Sequence, residues 1–249
     1  MANQVTKLLL SITIIFFAGL PRLSIAADLE SLDKNYRSRN SFQYFEDLEK
    51  SIKTLLQNEP NSSELYWRLA RTQFYMGNRS GFENAQKRFY FTCQENAERA
   101  LAISSNSAEG SYFNAICAGK VSQMDGIWSS FTFILNFKEQ MERAVQLDPN
   151  LEFGGPHRAL GKFFHEVPFI LGGDLNQSIE HLKLAVQFGP EYSDNYYYLS
   201  ESLMEAGDYQ TAKSVLLAYL EKSEDETDAS KKRERAKDFL QQIETINLH

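Results

Sequence analysis

The sequence predicts an all-α fold built by stacking helix-turn-helix repeats, and three observations carry that prediction. Glycine and proline are sparse, 13 and 6 in 249 residues, and gather at a few spaced points. Between those points, apolar residues recur at helical spacing. Near the C-terminus one unit is complete: Gly189-Pro190 ends a helix, Tyr196, Leu199 and Leu203 mark the next, Gly207-Asp208 turns the chain, and Ala212, Leu216 and Tyr219 mark the return. A unit of about 34 residues with this plan buries its apolar face only against neighbours, so the chain should form a solenoid. Solenoids bind partners more often than they transform them.

The first element is a processing segment. Lys7 precedes an apolar run from Leu8 to Leu20, and Ser24-Ile25-Ala26 offers a small-x-small cleavage site, so 1–26 reads as a signal peptide. The run is short for a membrane span of about 20 residues. An uncleaved N-terminal anchor is the alternative, and the only route to membrane association. No cysteine lies near the cleavage site, so a lipoprotein is not expected, and the product should be periplasmic or secreted. A flexible segment over 27–40 then precedes one repeat domain over 41–249.

Within that domain, Phe42 to Gln57 reads as a leading helix closed by Asn58-Glu59-Pro60. Helix-ending slots follow at Ser105, Pro149, Pro190 and Glu224, at intervals of 45, 44, 41 and 34 residues. They bound helix pairs over 63–103, 107–147, 155–188 and 193–222. A capping helix over about 226–246 completes the stack, with Glu224-Asp225-Glu226 at its start and Lys231-Lys232-Arg233 further on. That order suits the helix dipole and reads as a solvated closing surface.

A small residue precedes several slots: Ala100, Ala144 and Ala185, where adjacent helices must approach closely. The longer intervals carry apolar insertions, Gly126 to Leu135 and Phe163 to Gly173. Loops are normally polar, so these segments should be buried, line a cavity, or meet a partner.

Composition narrows the function. Removing Lys7 and Arg22 with the leader leaves 24 basic against 33 acidic residues, a net charge of −9, which argues against nucleic acid as a partner. Catalytic patterns are missing. His165-Glu166 lacks the second histidine of a helical zinc site, no Gly-x-Ser-x-Gly elbow occurs, and Gly154-Gly155 and Gly172-Gly173 read as turn glycines. No enzyme activity, metal or cofactor is expected. Cys93 and Cys117 each lie twelve residues from the turn at Ser105, which places them level on an antiparallel helix pair. Two outcomes stay open: a disulfide, or two buried thiols.

These units are similar to tetratricopeptide repeats, so the fold is a tetratricopeptide-like helical-repeat solenoid with long apolar insertions. The run Gly154 to Gly161, with Pro168, Gly173-Asp174, Leu182, Ala185 and Pro190, resembles the T-component family of TRAP transporters (TatT-like). It also resembles the regulator-of-microtubule-dynamics family. The likeness covers about 60–223. T-components are periplasmic repeat proteins that assist a transporter's substrate-binding protein, and well-known members are lipoproteins, which this chain does not match. The resemblance implies a groove offered to an apolar or amphipathic ligand.

In this repeat type the first helix of each pair lines the concave face. That register selects Trp67, Arg68, Arg71, Phe74 and Tyr75, then Tyr112, Phe113, Ile116 and Lys120, then His157, Leu160, Phe163 and Phe164, and finally Tyr197, Tyr198, Glu201 and Met204. The face is aromatic, with Arg68, Arg71 and Lys120 suited to a carboxylate. Either it is an open groove or its side chains are filled core. The expectation is an exported ligand-binding or adaptor module, serving a TRAP-type substrate-binding protein and taking a small apolar or amphipathic carboxylate. The alternative is a structural scaffold for envelope protein complexes.

Overall fold

Proline and serine punctuation sets the helix ends. The computed structural model describes residues 29–33, 42–126, 131–224 and 229–246. Ten long helices are described: α1 Phe42–Asn58, α2 Ser63–Arg79, α3 Glu83–Ile103, α4 Ala108–Met124, α5 Phe131–Leu147, α6 Leu151–Glu166, α7 Leu175–Phe188, α8 Ser193–Glu205, α9 Tyr209–Lys222 and α10 Ser230–Ile246. A 3-10 turn, Phe169–Leu171, separates α6 from α7. No strand occurs among the described residues. Pro60, Ser105, Pro149 and Pro190 all fall just beyond helix ends. New helices restart at side-chain caps: Ser62 Oγ accepts from the Leu65 amide, Ser107 Oγ from Gly110, Asp174 Oδ1 from Asn176 and Gln177, and Asp208 Oδ1 from Thr211. Such caps satisfy amides that a helix start leaves without partners.

Helices α2/α3, α4/α5, α6/α7 and α8/α9 form the pairs, and the second helix of each packs on the first of the next. Ala100, Ala144 and Ala185 are fully buried at these contacts. Three apolar clusters run along the stack: α1 with α2, the middle pairs, and α7 to α10. Cys93 on α3 and Cys117 on α4 are bridged, with Cα atoms 6.1 Å apart, so the disulfide outcome holds.

The second pair is joined to the third by an unusual turn. Glu152, Phe153 and Gly154 have φ of 48°, 59° and 74°, a left-handed turn ahead of the right-handed part of α6. Two non-glycine residues there cost roughly 1–2 kcal/mol each. Asn195, fully buried on α8, offsets this. Its side-chain amide donates to the carbonyls of Phe153 at 3.0 Å, Ala185 at 2.8 Å and Gly189 at 2.9 Å. Its carbonyl accepts from Arg158 at 2.9 Å, and Phe153 stacks on Tyr192 with ring centres 5.6 Å apart.

Two expectations are corrected. Residues 29–33, expected within a flexible segment, are helical, with Leu32 buried and Asp33 paired to Arg68 and Arg71. The capping helix starts at Ser230, so Lys231, Lys232 and Arg233 sit in its first turn, against the dipole. Lys232 pairs with Asp194, and Arg233 donates to the Leu220 carbonyl and to Ser223. The second insertion, open to burial, a cavity or a partner, divides: Phe163, Phe164 and Val167 are buried, whereas Phe169 and Ile170 are 87% and 88% exposed. The leader at 1–26 and residues 127–130 of the first insertion lie outside the described residues.

Two stability outcomes follow from these contacts. A Cβ at Gly154 would lie 2.7 Å from the Ala185 carbonyl oxygen, at a φ that L side chains disfavour. Gly154→Ala should therefore lower unfolding stability by about 2–4 kcal/mol in urea titrations. The bridge closes a 24-residue separation, so the Cys93→Ala/Cys117→Ala pair should lose about 3 kcal/mol against the oxidised chain.

Candidate functional site

The first helices of the pairs converge on one groove of about 380 Å³. Helix α2 supplies Phe74, Tyr75, Asn78 and Arg79, and α4 supplies Tyr112, Ile116, Gly119, Lys120 and Gln123. Helix α6 adds Gly155, Arg158, Ala159, Lys162, Phe163 and Glu166. Tyr192, at the start of α8, contributes with Asp194 and Tyr198, while α5 adds Phe137 and α10 adds Lys232. Small residues keep it open. A Cβ at Gly155 would lie 2.9 Å from the Tyr112 hydroxyl.

The groove is cationic within an acidic chain. Five cations, Arg79, Lys120, Arg158, Lys162 and Lys232, face two carboxylates, Glu166 and Asp194, while the whole chain carries −7. The aromatic walls seat these cations: Lys162 Nζ lies 4.0 Å from the Tyr198 ring centre, Arg158 Cζ 4.4 Å from Tyr192, and Lys232 Nζ 5.0 Å from Tyr198. Such contacts hold a charge over a ring face without neutralising it. Burial pushes Lys120 below the usual lysine range, and the charges of Lys162 and Lys232 push the same way, against Glu166. Burial also disfavours charge on Lys232, but Tyr198 and Asp194 outweigh it and hold that lysine above its ordinary value. An incoming anion would favour the charged form of Lys120.

Seven of the residues selected from sequence line this groove: Phe74, Tyr75, Tyr112, Ile116, Lys120, Phe163 and Tyr198. The rest lie elsewhere. Phe113, Leu160, Phe164 and Tyr197 are buried in the helix-packing clusters. Trp67, Arg68 and Arg71 stand at the N-terminal end, where the arginines hold Asp33 instead of a free carboxylate. Glu201 and Met204 line a separate depression with Arg235 and Phe239. His157 packs against α7, its Nδ1 3.0 Å from His181 Nδ1 and its ring stacked on Phe188. Sequence reasoning missed Arg79, Arg158, Lys162 and Lys232. The spacing of Arg158, Lys162 and Glu166, four apart on one face of α6, was the available signal.

A serine-histidine-glutamate contact also occurs. Ser202 Oγ lies 3.0 Å from His165 Nδ1, and His165 Nε2 lies 3.4 Å from Glu205. The serine is 1% exposed, and its hydroxyl also bonds Ser178 Oγ at 2.9 Å. It sits mid-helix, where amides are already used, so no oxyanion site accompanies it. The contact fastens α6, α7 and α8. Among the described residues, no group of three or more His, Cys, Asp or Glu side chains is placed to hold a metal ion, and no helix is long and apolar enough to cross a membrane.

Comparison with known proteins fits this architecture. Residues 27–168 match the regulator of microtubule dynamics protein 1-3 family, and residues 118–242 match the TRAP transporter T-component family. Bovine (Bos taurus) regulator of microtubule dynamics protein 1 is 30% identical over 146 residues, 58% of this chain and 44% of that protein. Mouse (Mus musculus) regulator of microtubule dynamics protein 3 is 27% identical over 125 residues, 49% of this chain and 26% of that protein. The chain thus spans less than half the length of either relative. A thermophilic tetratricopeptide-repeat protein of Thermus thermophilus superposes with a TM-score of 0.61 at 16% identity, covering 86% of this chain and 98% of that one. MamA of Desulfovibrio magneticus RS-1 gives 0.51 at 16% identity, covering 83% and 96%. The chain has a tetratricopeptide-like repeat fold.

The histidine pair sets a pH dependence. Burial, aided by His181, lowers His157 from 6.5 to about 4. Burial also lowers His181, with Lys138 adding to the shift and Glu142 and Glu180 opposing it. The folded chain therefore binds fewer protons than the unfolded chain between these values, and stability rises with pH. The contribution should be complete above about 6.5 and lost as pH falls from there towards 4. His157→Phe should flatten this part of the profile, read as the shift in urea midpoint between neutral and mildly acidic buffer.

Proposed function

Because the chain belongs to the regulator of microtubule dynamics 1-3 and TRAP transporter T-component families, we propose that it is an exported, non-enzymatic binding module. It takes a small amphipathic carboxylate in the groove between α2, α4, α6 and α8. Through that ligand, it serves the substrate-binding protein of a TRAP-type transporter. The observation that carries the reading is the concentration of Arg79, Lys120, Arg158, Lys162 and Lys232 on aromatic walls. An apolar tail fits the rings, and an acidic head meets a cluster of five cations opposed by two carboxylates, Asp194 beside Lys232 and Glu166 beside Lys162. The leader-like N-terminus and the Cys93–Cys117 bridge support an oxidising location outside the cytoplasm. The microtubule role printed in the mammalian relatives' names belongs to those longer proteins.

A scaffold without a small ligand is the second reading, favoured by the burial of Phe113, Leu160, Phe164 and Tyr197 as core. Two variants separate the readings. Lys120→Ala should keep the fold and weaken binding of dodecanoate by at least about tenfold, the loss of one charge-assisted contact. Phe164→Ala should instead cost about 3–5 kcal/mol of stability. Native mass spectrometry of protein from its own cell should show a co-purifying organic acid. A clean apo mass, with no dodecanoate binding, would leave the scaffold reading standing.

A further inference from the structure

The N-terminal end of the stack carries a second recognition site, already occupied by the chain itself. Arg68 and Arg71 on α2 are each more than nine-tenths buried, and both hold the Asp33 carboxylate, while Arg68 Nη1 also donates to Glu64 at 2.7 Å. Arg68 donates from Nε to Asp33 Oδ1 at 3.0 Å and from Nη2 to Oδ2 at 2.6 Å, while Arg71 Nη2 donates to Oδ1 at 2.7 Å. Trp67 backs the fork, its ring centre 4.0 Å from Arg68 Cζ and 4.9 Å from Arg71 Cζ. Burial alone would raise the Asp33 carboxyl, but both arginines outweigh it and hold it below the usual range. A planar fork engaging both oxygens is a carboxylate-recognition geometry.

The occupant is a short segment, 29–33. Residues 29–33 form about one helical turn, too short to be stable alone. Of its side chains Leu32 is buried, in one cluster with Leu65 and Leu69, while Glu30 and Ser31 are exposed. A cavity of about 590 Å³ lies beside the segment, between Ser31 and Leu32 on one side and Tyr44, Leu48, Ser51 and Leu55 of α1 on the other. The segment therefore fills only part of the space next to its seat. Its pattern is nonetheless specific: an apolar side chain enters the cluster, and the next residue puts a carboxylate in the fork.

We infer that Trp67, Arg68 and Arg71 form a peptide-binding site that Asp33 occupies as an internal substitute ligand. The external ligand is an acidic segment of a partner protein that presents an apolar residue immediately followed by a carboxylate. The site does not depend on the groove reading. A tethered segment competes at an effective concentration in the millimolar range, so a partner binds weakly until the segment is displaced.

The test uses a labelled synthetic peptide of residues 27–33 and fluorescence anisotropy. Asp33→Ala in the full chain should bind the peptide about tenfold or more tighter than the unmodified protein, because the internal competitor is lost. Adding Arg71→Ala should abolish that gain, as should a peptide with a C-terminal amide and asparagine in its last position. Equal affinity of the unmodified and Asp33→Ala proteins would overturn the proposal, and so would equal binding of the uncharged peptide. Amide exchange on the unmodified protein decides the matter if Asp33→Ala does not fold. Residues 29–33 should exchange about a hundredfold faster than the core of α2. Protection equal to that of α2 would identify a fixed structural element and sink the inference.

Discussion

The left-handed turn at Glu152–Gly154 is the constraint on which the groove depends. It breaks the right-handed path between α5 and α6 and is held by Asn195, an α8 residue more than forty positions later in the chain. Because Asn195 also bonds the carbonyls that end α7, one side chain fixes three helices relative to one another. Arg158 closes the arrangement, donating to Asn195 and lying over Tyr192, and both Arg158 and Tyr192 form groove wall. The strain of the turn and the placement of the site therefore have the same origin. A buried amide with several acceptors is costly to leave partly satisfied, which makes this junction specific as well as stable.

Charge adds a second constraint. A net negative charge repels anions in general, yet the groove gathers cations. Those cations rest on rings as well as on carboxylates: Lys162 and Lys232 lie over Tyr198 and also face Glu166 and Asp194. Lys120 shows the cost: burial and two neighbouring lysines depress it, and only Glu166 opposes them.

Much of the architecture was legible because it is local. Pro60, Ser105, Pro149 and Pro190 each end a helix by chemistry a reader can see, and Ala100, Ala144 and Ala185 mark close contacts by size alone. The site was legible in part. On α4 Tyr112, Ile116 and Lys120 lie along the groove and Phe113 in the packing cluster. On α6 the register selected His157, Leu160, Phe163 and Phe164, of which Phe163 lines the groove, beside Arg158, Ala159 and Lys162. Aromaticity drew attention to core residues, and the left-handed turn that sets the phase of α6 is fixed by the distant Asn195. Lys232 and Asp33 were beyond reach for the same reason, since each acts on a helix that sequence spacing does not connect to it. Their partners, Asp194 and the Arg68–Arg71 pair, are specified by the fold.

Tyr75 on α2 donates a 2.9 Å hydrogen bond to Glu152 at the junction before α6, across 77 residues of sequence. A linear repeat array couples each unit to its immediate neighbours, so units can be added, lost or frayed one at a time. Here the first pair grips the third past the second. The stack has thereby given up modularity: inserting or deleting a repeat between α3 and α6 would pull this contact apart.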